Sequence, residues 1–125
     1  LGVLAQRLAR TLCPHCRTPA DTDEQAWTEL VSPWKANMPR QVARPVGCLE
    51  CRMTGYLGRT GIYEMLTVTP TLRRLIGEDK DGAQLREQAI KEGMRPLRLG
   101  GALKVAAGVT TIDEILRNTP PARAR

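Results

Sequence analysis

Apolar positions recur at helical spacing over most of the chain, broken by one glycine-rich stretch that reads as extended. In residues 1–12, LGVLAQRLARTL, Leu4, Leu8 and Leu12 recur at i+4 with Ala5 beside them, which predicts the end of an amphipathic helix. Arg7 and Arg10 then share another face and read as a solvated basic edge. No helix-start signal precedes Leu1, so this element is expected to belong to an upstream domain. Thr22-Asp23-Glu24-Gln25 fits a capping box, and Trp27, Leu30, Val31 and Trp34 follow at i, i+3, i+4, i+7. Pro33 should end that helix near Ser32. Residues 35–47, with Pro39 and Pro45, read as a loop leading into a short strand. Gly55, Gly58 and Gly61 allow tight turns, and Ile62, Met65 and Leu66, with Tyr63 and Val68, predict a strand entering the core.

From Thr69 onward the pattern is helical. Thr69-Pro70 reads as N-cap and first helical residue, with Leu72, Leu75 and Ile76 inward and a stop at Gly77. Asp81 caps a second helix that turns Leu85, Ala89 and Ile90 inward and stops at Gly93. Pro96 opens a third, with Leu99, Leu103, Ala106 and Ala107 inward and Gly108 at its end. Within it, Gly100-Gly101 costs helix propensity and marks close packing or a kink. Thr111-Ile112-Asp113-Glu114 is a second capping box, opening a helix that buries Ile112, Ile115 and Leu116. Residues 120–125 read as a tail. The fold class expected is α+β: a small zinc-binding subdomain with a short β element and a helical insertion, then a helical C-terminal subdomain.

The cysteines change this picture most. All four lie in two C-x-x-C pairs, Cys13-Pro14-His15-Cys16 and Cys48-Leu49-Glu50-Cys51, separated by 31 residues. Each pair supplies half of a tetrahedral thiolate site, and together they predict one structural Zn²⁺ with no open position for water or substrate. Two disulfides are the competing reading, but no secretory signal is present to place them in an oxidising compartment. A redox C-x-x-C usually comes singly, beside a βαβ pattern that is absent here. Arg17 and Arg52 follow the two pairs directly, and cations there offset the formal charge of about −2 on a four-thiolate zinc site. His15 is expected to be an exposed turn residue, since four cysteines complete the shell. Gly55, just past the second pair, can turn backbone amides onto a thiolate.

Charge and composition bound the function. Basic residues exceed acidic ones by 19 − 13 = 6, and a filled zinc site lowers this to about +4. Such a surplus suits anionic partners in general. With no Phe, two Trp and two Tyr, the core must be aliphatic and stacking platforms are few, which argues against a single-stranded nucleic-acid binder. No apolar run approaches the length of a membrane span. The chain opens on Leu1 without an initiator methionine and reads as a piece of something longer. No catalytic set appears: the single histidine lies in a cysteine turn, and neither H-E-x-x-H, G-x-S-x-G nor the G-x-x-x-x-G-K-[ST] phosphate loop occurs.

The ordered run of short motifs resembles the C-terminal part of the type II secretion and type IV pilus assembly ATPases. It comprises Ala5-Gln6-Arg7-Leu8, Arg10-Thr11-Leu12-Cys13-Pro14-x-Cys16 and Gly47-Cys48-x-x-Cys51. Thr54-Gly55-Tyr56-x-Gly58-Arg59-Thr60-Gly61-Ile62-Tyr63-Glu64 follows, then Gly93-Met94-x-x-Leu97. The run ends with Lys104-Val105 and Gly108-x-Thr110-Thr111-x-Asp113-Glu114-Ile115-Leu116. The resemblance implies that residues 1–12 are the trailing helix of a RecA-like ATPase core. Residues 13–66 would be its zinc-binding subdomain, with Cys13, Cys16, Cys48 and Cys51 as ligands, and residues 67–119 its helical C-terminal subdomain.

The family's phosphate loop, Walker B stretch and histidine motif are absent here, so the fragment is expected to be no enzyme alone. ATP and Mg²⁺ then belong to the parent protein only. The implied parent is a hexameric cytoplasmic motor, peripheral to the inner membrane through its partners, that powers type II secretion pseudopilus assembly or, alternatively, type IV pilus assembly. Expected partners are the upstream core, neighbouring subunits and the cytoplasmic parts of inner-membrane platform proteins, with no nucleic acid. Arg7, Arg10 and Arg59 become candidate contacts at the core or subunit boundary. Two other readings have distinct signatures. A stand-alone zinc ribbon binding nucleic acid would show salt-sensitive binding. A redox protein would carry no metal and change its thiol count on oxidation.

Overall fold

A computed structural model describes residues 2–120; Leu1 and the tail beyond Pro120 lie outside it. The first element corrects the helical reading of residues 1–12. It is strand β1 (Gly2–Leu12), paired antiparallel with β4 (Tyr56–Thr67) in a register running from Gly2 opposite Thr67 to Arg10 opposite Arg59. The physical reason lies in the spacing. A repeat of four is even, so Leu4, Leu8 and Leu12 share a face in a strand as well as in a helix. Leu4 and Leu8 are exposed, and the buried positions are Ala9 and Leu12. Along β4, Ile62 enters the core and Leu66 is half-buried, whereas Tyr63 and Met65 lie exposed on the other face.

A second two-stranded sheet joins β2 (Thr18–Asp21) to β3 (Gln41–Arg44), antiparallel, with Thr18 opposite Arg44. Helix α1 (Glu24–Val31) connects the two strands and buries Trp27, Leu30 and Val31. Its N-cap is Asp23, whose carboxylate accepts from Ala26 N at 3.2 Å; Thr22 instead donates to Pro39 O at 2.6 Å. The helix ends at Ser32 before Pro33 as expected, which leaves Trp34 outside it and only half-buried.

Four helices follow: α2 (Pro70–Gly77), α3 (Gly82–Lys91), α4 (Leu97–Ala106) and α5 (Ile112–Asn118). Thr69, Asp81 and Thr111 cap α2, α3 and α5 through their side chains. Gly93 and Gly108 take left-handed conformations just past α3 and α4, and the amides of Gly93 and Met94 close back on Ile90 O and Ala89 O. After α2, however, the left-handed residue is Asp79, and Gly77 remains helical. Ile76 is exposed rather than inward.

The inward face of α4 also differs from the expected one. Leu97, Gly101, Ala102 and Val105 are buried, while Leu103, Ala106 and Ala107 are exposed. Gly101 rotates the helix this way. A Cβ at Gly101 would lie 2.5 Å from Ile115 Cγ2, so its absence lets α4 close onto α5; a Cβ at Gly100 would meet nothing nearer than 3.6 Å. Gly101→Ala should therefore destabilise by about 1–3 kcal/mol through overpacking. Gly100→Ala should stabilise by about 0.5–1 kcal/mol through helix propensity. Urea midpoints of the two variants test this opposition in sign. One apolar core unites Ala9, Trp27, Leu30, Ile62, Leu97, Val105 and Ile115, drawing on strand, insertion helix and C-terminal helices together.

Candidate metal centre

The centre is built by two turns facing each other. In the first, Arg17 N donates to Cys13 O at 3.1 Å; in the second, Met53 N donates to Cys48 O at 2.7 Å. Each turn reverses the chain so that both its thiols face one point. Gly47 and Gly55 flank the second turn with φ of +108° and +84°. A side chain at Gly55 would strike Pro45 Cβ at 2.4 Å. Cys13 N donates to Gly55 O at 2.9 Å and ties the turns together.

All four sulfurs lie within 4.8 Å of one another. Cys13–Cys48 and Cys16–Cys51 are 3.8 Å apart, and Cys48–Cys51 3.7 Å. Sulfurs placed tetrahedrally at about 2.3 Å from a metal stand about 3.8 Å apart, so the donor set fits a tetrahedral thiolophilic ion. The cysteines are free thiols. Gly55 N reaches Cys51 Sγ at 3.1 Å and Cys48 N reaches it at 3.3 Å. Burial pushes the Cys51 thiol up, but these two amides and the neighbouring thiols outweigh it and bring it down to about 6. His15 is exposed on the first turn. Arg17 donates to Gly108 O at 2.7 Å, pinning the first turn to the end of α4.

The three candidate arginines have different surroundings. Arg7 is exposed and bonds the neighbouring Gln6 carbonyl. Arg59 is exposed on β4 opposite Arg10. Arg10 lies over the Tyr56 ring, 4.1 Å from its centroid, and its guanidinium and amide bind the carboxylate of Glu114. Tyr56 hydroxyl meets Thr111 Oγ1 at 2.9 Å, and Thr110 donates to Arg10 O at 2.7 Å. This cluster fastens β1 to α5 next to the cysteine turn. Glu114 reads in sequence as the third residue of a capping box; its carboxylate turns instead to a strand 104 residues away. A similar role falls to Glu64 on β4, which pairs with Arg86 and accepts from Leu97 N at 3.3 Å. It caps α4, where Pro96 offers no side-chain cap. No local signal marks either carboxylate.

Burial raises the Glu114 carboxyl, but Arg10 and Asn118 outweigh burial and hold it below its ordinary value of 4.5. A carboxylate held low in the folded state contributes stability above its unfolded pKa and loses it as pH falls through the folded one. Thermal stability should therefore decline below about pH 4.5, and less steeply in Glu114→Gln than in the parent chain. Melting curves of both from pH 6 to pH 3, stepped roughly one unit at a time, measure it. Identical slopes would remove Glu114 as a cause.

A small α+β chain with a tetrathiolate centre and a C-terminal helical cap is the class that fold and site define. The family model for type II/IV secretion system proteins matches residues 1–117, and the chain belongs to that family. The type IV pilus assembly ATPase TfpB of Acinetobacter baylyi is 48% identical over 120 residues, 96% of this chain and 20% of that protein. The type II secretion system protein HxcR of Pseudomonas aeruginosa is 43% identical over 119 residues, 95% of this chain and 21% of its own. Type II secretion system ATPase E of Vibrio cholerae is 41% identical over 119 residues, 95% and 23% respectively. The chain thus spans about a fifth to a quarter of the curated relatives it matches. Among the described residues no helix is long and apolar enough to cross a membrane.

Proposed function

We propose that this chain is the C-terminal, zinc-binding part of a hexameric secretion-type ATPase and carries out no catalysis by itself. One observation carries the reading: the family match over residues 1–117, with relatives named as secretion or pilus assembly ATPases. Residues 1–12 form the trailing edge of the ATPase core, as a strand, residues 13–66 the metal-binding subdomain and residues 67–119 the helical subdomain. Cys13, Cys16, Cys48 and Cys51 hold one structural Zn²⁺, which supplies folding energy to a lobe with little apolar core of its own. ATP and Mg²⁺ act in the parent protein. Its motion reaches cytoplasmic parts of inner-membrane platform proteins, which places the motor in the cytoplasm at the membrane's inner face.

Arg10 serves this reading as the residue that transmits a shift of β1 to α5, through its bond to Glu114. Arg7 and Arg59, both exposed, face the core or a neighbouring subunit. Type II secretion and pilus assembly remain the two branches. The greater identity to the pilus ATPase, 48% against 43%, favours pilus assembly.

The test replaces the corresponding segment of TfpB and of HxcR with this chain and measures ATP hydrolysis, piliation and secretion. Hydrolysis by the chimeras, with none by the isolated chain, supports a non-catalytic part of a motor. Hydrolysis by the isolated chain, or full activity of a parent lacking the segment, overturns it. The branch is read from which chimera works.

A further inference from the structure

The four thiolates differ in how well their charge is compensated. On the reading that they bind zinc, each sulfur keeps negative charge, and an amide pointing at it lowers its nucleophilicity. Those amides are unevenly shared. Cys51 Sγ accepts two, from Cys48 N at 3.3 Å and Gly55 N at 3.1 Å. Cys16 Sγ accepts one, from Gly47 N at 3.4 Å. Among the described residues, no amide donates to Cys13 Sγ or to Cys48 Sγ.

Burial divides the set again. Cys13 is 0% and Cys51 4% exposed, whereas Cys16 and Cys48 are only partly buried. Cys48 alone combines an uncompensated sulfur with access to solvent. It also opens a turn that projects outward, since the next residue, Leu49, is 90% exposed. Thiolate character and exposure together decide which cysteine a soft electrophile attacks.

The geometry points to Cys48 as the reactive thiolate of the centre, a modification site for soft electrophiles of the alkyl-halide class and the place where the site opens. The Cys48 sulfur lone pair attacks the carbon, a sulfur–carbon bond forms, the carbon–halogen bond breaks, and halide leaves with its electron pair. No proton moves and no oxidant is needed. Cys48 becomes a thioether, a poorer ligand, and three thiolates remain to hold the ion. This inference rests on the zinc reading above.

The experiment treats the zinc-loaded full chain with less than one equivalent of iodoacetamide, a neutral reagent that Arg17 and Arg52 do not steer. Labelled peptides are quantified by mass spectrometry while released zinc is followed. Cys48 should be labelled about three- to tenfold faster than Cys16, the worth of one ordinary amide hydrogen bond. Cys13 and Cys51 should come last, and zinc release should track the Cys48 label. A chain that holds one zinc but is labelled first at Cys16, or equally at both, overturns this inference and leaves the metal centre standing. A chain that binds no zinc and labels all four sulfurs at the rate of free thiols overturns both.

Discussion

Cys13→Ser is expected to leave the chain without bound zinc and to unfold the residues around both cysteine turns. A structural zinc site contributes about 10–16 kcal/mol of apparent binding free energy at neutral pH. That matches or exceeds the whole stability of an ordinary domain, about 5–15 kcal/mol. Serine at this position keeps its proton, so a thiolate is lost outright. Cys13 is the harshest choice because its side chain is fully buried and its amide donates to Gly55 O at 2.9 Å, joining the two turns. Metal analysis and circular dichroism melts check it. The parent should carry one zinc per chain and lose its cooperative melt on chelation. A Cys13→Ser chain with full zinc content and an unchanged melt would show that another residue completes the shell or that the metal bears no load.

The second large effect is expected from Ile115→Ala. Ile115 is fully buried where α5 meets α4, and Gly101 brings the α4 backbone against it. Alanine removes three buried carbon atoms from a site whose walls are helix backbone and cannot collapse, for a cost of about 2–5 kcal/mol. For a chain of this size that lowers the melting temperature by roughly 10 °C or more. The consequence extends beyond packing. Helix α5 also carries Glu114, bound to Arg10, and follows Thr111, bound to Tyr56. Loosening it should therefore release β1 and raise amide hydrogen exchange at Arg10, whose N–H is held by Glu114 Oε1. A loss below about 1 kcal/mol, or no change in exchange at β1, would mean that α5 is not the clasp described here.

Much of the local structure was legible because it is written in short range. Thr69-Pro70, Asp81 and Thr111 supply caps within three residues of the amides they satisfy. The C-x-x-C spacing is a local rule too, since a turn of that length puts two thiols on one side. What misled was a local pattern compatible with two structures. Leu4, Leu8 and Leu12 suit a helix or a strand, and nothing within residues 1–12 says that β4, some fifty positions on, will pair with them. The same applies to α4, where the inward face was set by how closely Gly101 could approach Ile115 rather than by its own apolar residues.

The sequence by itself determined the α+β class, the tetracysteine donor set, most helix starts and membership of the secretion ATPase family. Each of these is encoded by residue type at fixed short spacing, or by an ordered series of such spacings. Only the tertiary structure decided that residues 2–12 are a strand, which helix faces turn inward, and where the charged side chains find partners. Glu114 meets Arg10, and Glu64 meets Arg86 and the start of α4, through space and across most of the chain's length. Burying a carboxylate is tolerable only beside a cation or free amides, and which of these stands near is a property of the assembled fold.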